Sequence, residues 1–305
     1  MIDFVGKRYW YFLISAIIII PGIISLIVFG LKPGIDFRSG TNMTLHLTPA
    51  VEEAKLRQSL ADLGYPDAVV QRTGEGDFVI RLREISTDER QALVTGIGMA
   101  SGSQVAVRDF ALVSPVVAAE TARNAAIGVI VAAVGILLYI SWAFRRMPKP
   151  FRWGTCAVIA LIHDVLLVMG VFSILGWVAG VEIDALFITG MLTVAGYSVH
   201  DTIVVFDRIR ENMTKGIGGG FETTVNFSIV QTFTRSLNTS LTVLFVLAAL
   251  FLLGGVTIRY FILVLLIGVT TGTYSSICNA SQLLIVWERG EWGRFIGLKP
   301  RPTQA

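Results

Sequence analysis

Charge is scarce in this chain. Only 15 % of its 305 residues are Asp, Glu, Lys or Arg, 53 % are apolar, and the net charge is +3. Soluble domains carry about a quarter of their residues as charges, so an ordinary soluble enzyme is excluded. Cysteine is scarcer still: Cys156 and Cys278 both fall inside long apolar runs, which suits small core residues and excludes a disulfide framework or zinc cluster. No EF-hand, phosphate-binding glycine loop, Ser-His-Asp set or Cys-His set is legible. Neither an enzyme, a bound cofactor nor a metal is expected.

What remains is apolar length. Six stretches stand out: Trp10–Phe29, Asn124–Trp142, Gly154–Val178, Ala185–Phe206, Leu237–Leu253 and Tyr260–Trp287. Each suits a membrane-spanning helix, and none shows the weak alternation of an outer-membrane barrel strand. The fifth is the shortest. The first lacks a small-residue cleavage site after Val28-Phe29-Gly30-Leu31 and is expected to stay as an anchor. Lys7 and Arg8 precede it; Arg145, Arg146, Lys149 and Arg152 separate the second and third spans; Arg208, Arg210, Lys215 and Arg235 separate the fourth and fifth; Arg289, Arg294, Lys299 and Arg301 follow the sixth. The third-to-fourth connection has Glu182 and Asp184 and no basic residue, and the fifth-to-sixth turn has only Arg259. Both termini are therefore expected in the cytoplasm and the long loop outside. The organisation reads as residues 1–29, N-terminus and first span; 30–123, exported domain; 124–287, spans two to six; and 288–305, cytoplasmic tail. Within it, 209–234 is polar and amphipathic and is expected to lie along the cytoplasmic surface.

The exported segment alternates strand and helix signals. Thr41–Leu47, Ala68–Gln71, Asp77–Arg83 and Val105–Phe110 read as strands, and Gly74-Glu75-Gly76 as a turn. One helix opens after Pro49, and Ser86 is spaced to cap a second over Asp88–Gly96 with Glu89 completing the capping box. The order β-α-β-β-α-β is that of a ferredoxin-like unit. Its charges mix both signs, so a nucleic-acid patch is not expected. His46 reads as structural.

Three spans carry ionisable or polar groups where lipid makes them expensive. His163 and Asp164 sit in the third. His200, Asp201, Asp207 and Arg208 lie in or at the end of the fourth, and Arg235, Asn238 and Thr239 open the fifth. Asp201 lies about 15 residues into its span, off-centre yet inside hydrocarbon. Low dielectric disfavours a carboxylate's charged form and makes proton exchange near neutrality available. Neighbouring helical positions diverge by about 100°, so His200 and Asp201 face different ways, whereas His200, Val204 and Asp207 share a face. The candidate proton relay is Asp201, Arg235, His200 and Asp164; Asp207, Arg208, Asn238 and Thr239 read as boundary or structural residues. Gly170, Gly176, Gly190 and Gly196 suit close helix approach.

Several strings resemble the SecD/SecF family, on its smaller-subunit side. They are Pro33–Gly40 (PGIDFRSG), Val113–Glu120 (VSPVVAAE), Ala160–Val165 (ALIHDV), Gly196–Asn212 (GYSVHDTIVVFDRIREN) and Arg235–Ser240 (RSLNTS), and together they span nearly the whole chain. The resemblance implies half of a twelve-span resistance–nodulation–division core in the bacterial inner membrane, with a SecD-like subunit as the other half. It also implies a SecYEG-type channel, with a YidC-type insertase as a further candidate neighbour, and an unfolded preprotein as cargo. By the same resemblance Asp201 is the membrane aspartate of proton-linked function and Arg235 belongs to the proton path. The proton is the implied coupling ion, ahead of sodium. Two departures stand out: His200 replaces the family's asparagine, and Phe37-Arg38-Ser39-Gly40 departs from the commoner small-Gly-Gly form. The rival readings are a solute or lipid exporter subunit of the same superfamily and a non-conducting scaffold of the secretion channel.

Overall fold

The computed structural model describes residues 2–73 and 76–291. Most of the expected Gly74-Glu75-Gly76 turn, and the tail from residue 292 with Arg294, Lys299 and Arg301, lie outside the described residues. In chain order the elements are α1 (Arg8–Val28), the one-turn α2 (Ile35–Arg38), β1 (Gly40–Thr48), α3 (Glu53–Asp62), β2 (Val69–Arg72), β3 (Asp77–Leu82), α4 (Thr87–Ser101), β4 (Gln104–Val113), α5 (Pro115–Ala143), α6 (Pro150–Ala179), α7 (Ala185–Thr214), α8 (Phe221–Leu253), α9 (Arg259–Ser275), a π-helical turn (Ser276–Ala280) and α10 (Ser281–Arg289). They form two compact units. One is Pro33–Ile127 together with Glu182–Ala185; the other holds the remaining described residues.

In the smaller unit, alternation along β1 sends Met43, Leu45 and Leu47 to one face, and β3 answers with Phe78, Ile80 and Leu82. Leu56 and Leu60 of α3 and Leu93 and Ile97 of α4 close this core at helical spacing. The sheet order β2-β3-β1-β4, antiparallel throughout, is the ferredoxin-like arrangement. The α4 capping box is present: Ser86 Oγ accepts from the Glu89 amide (3.2 Å) and the Glu89 carboxylate from the Ser86 amide (2.8 Å). His46 bonds Asp77 across the β1–β3 pair at 2.8 Å.

This unit differs from the expected 30–123 because it recruits a piece of the α6–α7 connection. The Gly34 amide donates to the Ile183 carbonyl (2.8 Å), Arg81 pairs with Glu182 (2.9 Å), and Asp36 accepts from the Ala185 amide (2.8 Å). Asp36 thereby satisfies one of the amides that a helix leaves without an internal partner at its start.

In the larger unit six helical passes are long and apolar enough to cross a membrane: α1, α5, α6, α7, α8 and the run from α9 to α10. Their outward surfaces are apolar, with Ile17, Ile27, Leu138, Phe245 and Leu253 exposed. Helices α1 and α6 cross at paired glycines; a methyl group added at Gly170 would stand 2.6 Å from the Gly22 Cα. Gly190 likewise meets Val264. Gly176 instead lies against the Val181 carbonyl in the turn that ends α6, and a methyl group at Gly196 would meet no other described element within 4 Å.

The fifth apolar stretch lies within the longest pass, 33 residues, because α8 already begins at Phe221. The segment 209–234 is not a separate helix: its first part completes α7, and its last part begins α8 and packs Val225 and Ile229 into the apolar core. Its polar side chains are internally paired. Asn212 donates to Ser228 (2.8 Å) and Gln231 (3.0 Å), and the Asn226 side chain binds the backbone of Ile2, Phe4 and Val5. Gly216, Gly218 and Gly219, all at positive φ, turn the chain between the helices.

Candidate functional site

Asp164 and Asp201 are both buried, 0 % and 7 % exposed, on adjacent faces of α6 and α7. What brings partners to them is the close approach of α9. A methyl group at Gly272 would stand 3.0 Å from Ser198 Cβ, and Gly268, one turn earlier, lies against Val194. This glycine pair, four residues apart, lets the two backbones close and delivers Ser275 and Ser276 to the carboxylates. Ser275 donates to Asp164 (2.6 Å) and Ser276 to Asp201 (2.5 Å). Consecutive residues diverge around a helix, so one serine pair serves aspartates on two different helices. The π-turn starts at Ser276; such turns recur at functional sites.

Two further hydroxyls complete the shells. Ser198 of α7 donates to the same Asp164 oxygen as Ser275 (2.6 Å), and Ser236 of α8 donates to the other Asp201 oxygen (2.7 Å). His163 Nδ1 lies 3.0 Å from the second Asp164 oxygen. Asp201 is therefore held by neutral donors alone among the described contacts, while Asp164 has two hydroxyls and an imidazole.

The remaining sequence candidates lie elsewhere. His200 is exposed, on a different face of α7 from the buried Asp201, as the step of about 100° between neighbouring residues requires. Arg235 is exposed, and no bond joins it to Asp201; its neighbour Ser236 makes that contact. Asn238 and Thr239 are exposed, Thr239 returning its hydroxyl to the Arg235 carbonyl (2.9 Å). Asp207 pairs with Arg210, and Arg208 with Glu211 at 2.5 Å. Val204, Asp207, Arg208, Glu211, Gln231, Thr232 and Arg235 border a charged cavity of about 180 Å³ between α7 and α8. Val204 lies three residues from Asp201 and Thr232 four from Ser236, so this cavity sits one helical turn from the carboxylate.

Sequence reasoning missed Ser236, Ser275 and Ser276 as carboxylate donors. The signal was available in the sixth span, where TTGTYSSICNASQ (residues 270–282) is far more polar than lipid exposure tolerates. Among the described residues no group of three or more His, Cys, Asp or Glu side chains is placed to hold a metal.

Six passes around hydroxyl-bound carboxylates, with an α/β domain inserted after the first, define a membrane transport subunit of the resistance–nodulation–division type. Comparison with known proteins narrows this. Residues 94–290 match the model for "Protein export membrane protein SecD/SecF, C-terminal" and residues 24–51 the "SecD/SecF GG Motif". The chain is 47 % identical to the protein translocase subunit SecF of Thermobaculum terrenum, over 97 % of this chain and 96 % of that one. It is 42 % identical to that of Anaerolinea thermophila over the full length of both. Its fold is similar to the crystal structure of SecDF, a translocon-associated membrane protein from Thermus thermophilus. That match has a TM-score of 0.82 and 35 % identity, covering 94 % of this chain and 38 % of that one. A second SecDF structure, in a super-membrane-facing form, matches at TM-score 0.67 and 31 % identity, over 97 % of this chain and 40 % of the other. The chain thus spans well under half the length of the SecDF proteins of known structure. It belongs to the SecD/SecF family, as a SecF-type subunit.

Proposed function

We propose that this subunit joins a SecD-like partner to use the proton-motive force for late preprotein translocation, beside a SecYEG-type channel in the bacterial inner membrane. In this reading both termini are cytoplasmic and the inserted domain is extracytoplasmic, as the basic loops favour. The observation that carries it is Asp201: a buried carboxyl in a membrane helix, bound by two serine hydroxyls and no cation among the described contacts. Hydroxyls serve a carboxyl in either charge state, because each both donates and accepts. A fixed Arg partner would instead hold it ionised. The charged cavity one turn away supports water access from the cytoplasmic side. Moving one charge through 100 mV supplies about 2.3 kcal/mol, enough to bias two states of a complex that differ by a few kcal/mol.

The partner follows from the same membrane logic. Arg235, His200 and Asn238 are exposed on this chain, and an Arg facing lipid at mid-depth costs about 3 kcal/mol or more. Cover by a second six-span half removes that cost. The inserted domain then captures or supports the emerging chain and limits backsliding, and a YidC-type insertase is a further candidate neighbour.

The test is preprotein translocation into inverted vesicles containing the complex, with and without a proton gradient. Asp201→Asn is expected to reduce gradient-stimulated translocation to the gradient-free level while the complex assembles normally. Full stimulation in that variant overturns the proposal and leaves a scaffold.

A further inference from the structure

One turn along the bundle from Asp201, toward the end where α7 begins, lies a second polar layer that the account above does not use. Tyr197 is four residues before Asp201, Ser240 four after Ser236, and Thr273 three before Ser276, so each of the three helices around Asp201 contributes one hydroxyl. They meet. Tyr197 Oη donates to Ser240 Oγ (3.1 Å), and Ser240 Oγ lies 2.5 Å from Thr273 Oγ1, which donates to the Val269 carbonyl (2.8 Å). Ser240 and Thr273 are buried, 3 % and 7 % exposed. Both border a cavity of about 260 Å³ between α8 and α9, and share its lining with the apolar Leu237, Leu241, Leu244 and Ile277.

We propose that Tyr197, Ser240 and Thr273 form the hydroxyl limb of the path by which a proton reaches Asp201, opposite the charged cavity on its other side. This rests on the reading of Asp201 as the proton carrier. The two layers are one helical turn apart, about 5.4 Å along the axis, a gap that one bridging water spans. The proton count balances. A proton arriving at the Tyr197 oxygen displaces that residue's own O–H proton to Ser240. Ser240 passes its proton to Thr273, whose own O–H hydrogen turns from the Val269 carbonyl to the water, and the water passes one of its protons to the Asp201 carboxylate. Each hydroxyl ends with one hydrogen, as it began, and the chain resets by rotation about the C–O bonds. The asymmetry is physical: hydroxyl-to-hydroxyl transfer on one side, open charged water on the other.

Hydroxyls also glue membrane helices together, and paired substitutions at one position separate the two roles. Thr273→Val keeps the branched shape and removes the hydroxyl; Thr273→Ser keeps the hydroxyl and removes the methyl. In vesicles holding the complex with its SecD-type partner, gradient-driven proton uptake is measured by a pH-sensitive dye. Thr273→Val and Tyr197→Phe are each expected to lower it about ten-fold, equivalent to about 1.4 kcal/mol of barrier, while Thr273→Ser stays within about two-fold of the parent. The reverse order, with Val retained and Ser impaired, assigns the cluster to packing and overturns the proposal. Parental uptake in all three variants, with Asp201→Asn inactive, also overturns this limb but leaves the carrier reading standing. Parental uptake in Asp201→Asn overturns both.

Discussion

In the inserted domain the interior is Met43, Leu45, Leu56, Phe78, Ile80 and Ile97, and ion pairs such as Glu53–Arg57 and Glu89–Arg83 lie on its surface. The membrane unit inverts this. Its outer faces carry Ile, Leu and Phe, while Asp164, Asp201, Ser198, Ser236, Ser275 and Ser276 are inside. Water makes apolar burial the driving force for the first. Lipid offers no such force between helices, so close glycine contacts and internal hydrogen bonds hold the second together. The contrast bears on the tasks as well: the domain's core residues answer for stability, whereas the buried carboxylates of the membrane unit are costly to keep and, in the function proposed above, carry the proton.

The largest expected effect tests that division from the stability side. Phe78 is fully buried at the centre of the sheet. Phe78→Ala removes a large apolar side chain and leaves a cavity, which costs about 3–5 kcal/mol. Hydrogen exchange on the intact chain should show faster exchange of the β1 and β3 amides, with the amides around Asp201 unchanged. If both regions loosen together, the two units share one unfolding transition and the comparison fails.

How much of this was legible follows from the same chemistry. The domain announced itself because its information is local: alternation in β1 and β3, and Ser86 three residues before Glu89. The six passes were legible by length and composition, although α8 hid its true start because polar residues such as Asn226 and Ser228 pair internally. The carboxylates were legible as expensive residues, but their partners were not. Ser236 lies 35 residues from Asp201 and Ser276 lies 75 away, and which turn of one helix faces which turn of another is fixed by glycine contacts that no single-helix period encodes. Gly170 and Gly190 do make such contacts and Gly196 does not, whereas Gly22, Gly268 and Gly272 make them without having stood out in the sequence.

A smaller effect contrasts how each region depresses a carboxyl's proton affinity. Glu89 is held below its ordinary value chiefly by the Ser86 backbone amide, within one helical turn. Glu291 is also held low. Burial opposes this, but the hydroxyl of Tyr9 (2.8 Å) and the guanidinium of Arg8 (2.9 Å), nearly three hundred residues away in sequence, outweigh it. Arg289 adds a weaker attraction and also pairs with Glu222. A carboxyl whose folded value is depressed contributes stability that is present above its unfolded value, near 4.5, and is lost as pH falls through the folded value. The difference in melting temperature between the parent chain and Glu291→Gln should therefore be constant above about pH 5 and shrink below it. Tyr9→Phe should reproduce part of the loss, because it removes one of the two main donors. A difference that stays constant down to pH 3 would show that the Arg8–Glu291 contact contributes no net charge-dependent stability.

The smallest effect concerns the backbone and has the opposite sign. In the membrane unit positive φ falls on glycine at Gly30, Gly180, Gly216, Gly218, Gly219 and Gly290, with Lys149 in the tolerated left-handed helical region. The inserted domain also uses glycine there, at Gly40, Gly64, Gly76 and Gly102, but adds a serine. Ser39 has φ 67° and ψ 162°, where side-chain-bearing residues are strained by about 1–3 kcal/mol. It joins α2 to β1 inside the matched GG segment, directly before Gly40, where a methyl group would meet the Leu82 carbonyl at 2.7 Å. Gly40 is therefore required by both conformation and space, whereas at Ser39 the conformation favours glycine over the serine present. Ser39→Gly relieves the strain and returns about 0.5–1 kcal/mol of it to the freer unfolded chain, leaving a net stabilisation of about 1 kcal/mol. Gly40→Ala should destabilise instead, because the β1–β3 pairing at Thr41↔Leu82 must open to admit the methyl. Thermal unfolding of the two variants in detergent should displace the domain's transition in opposite directions. A fall in both would mean that the Ser39 side chain contributes more to the turn than its strained backbone costs.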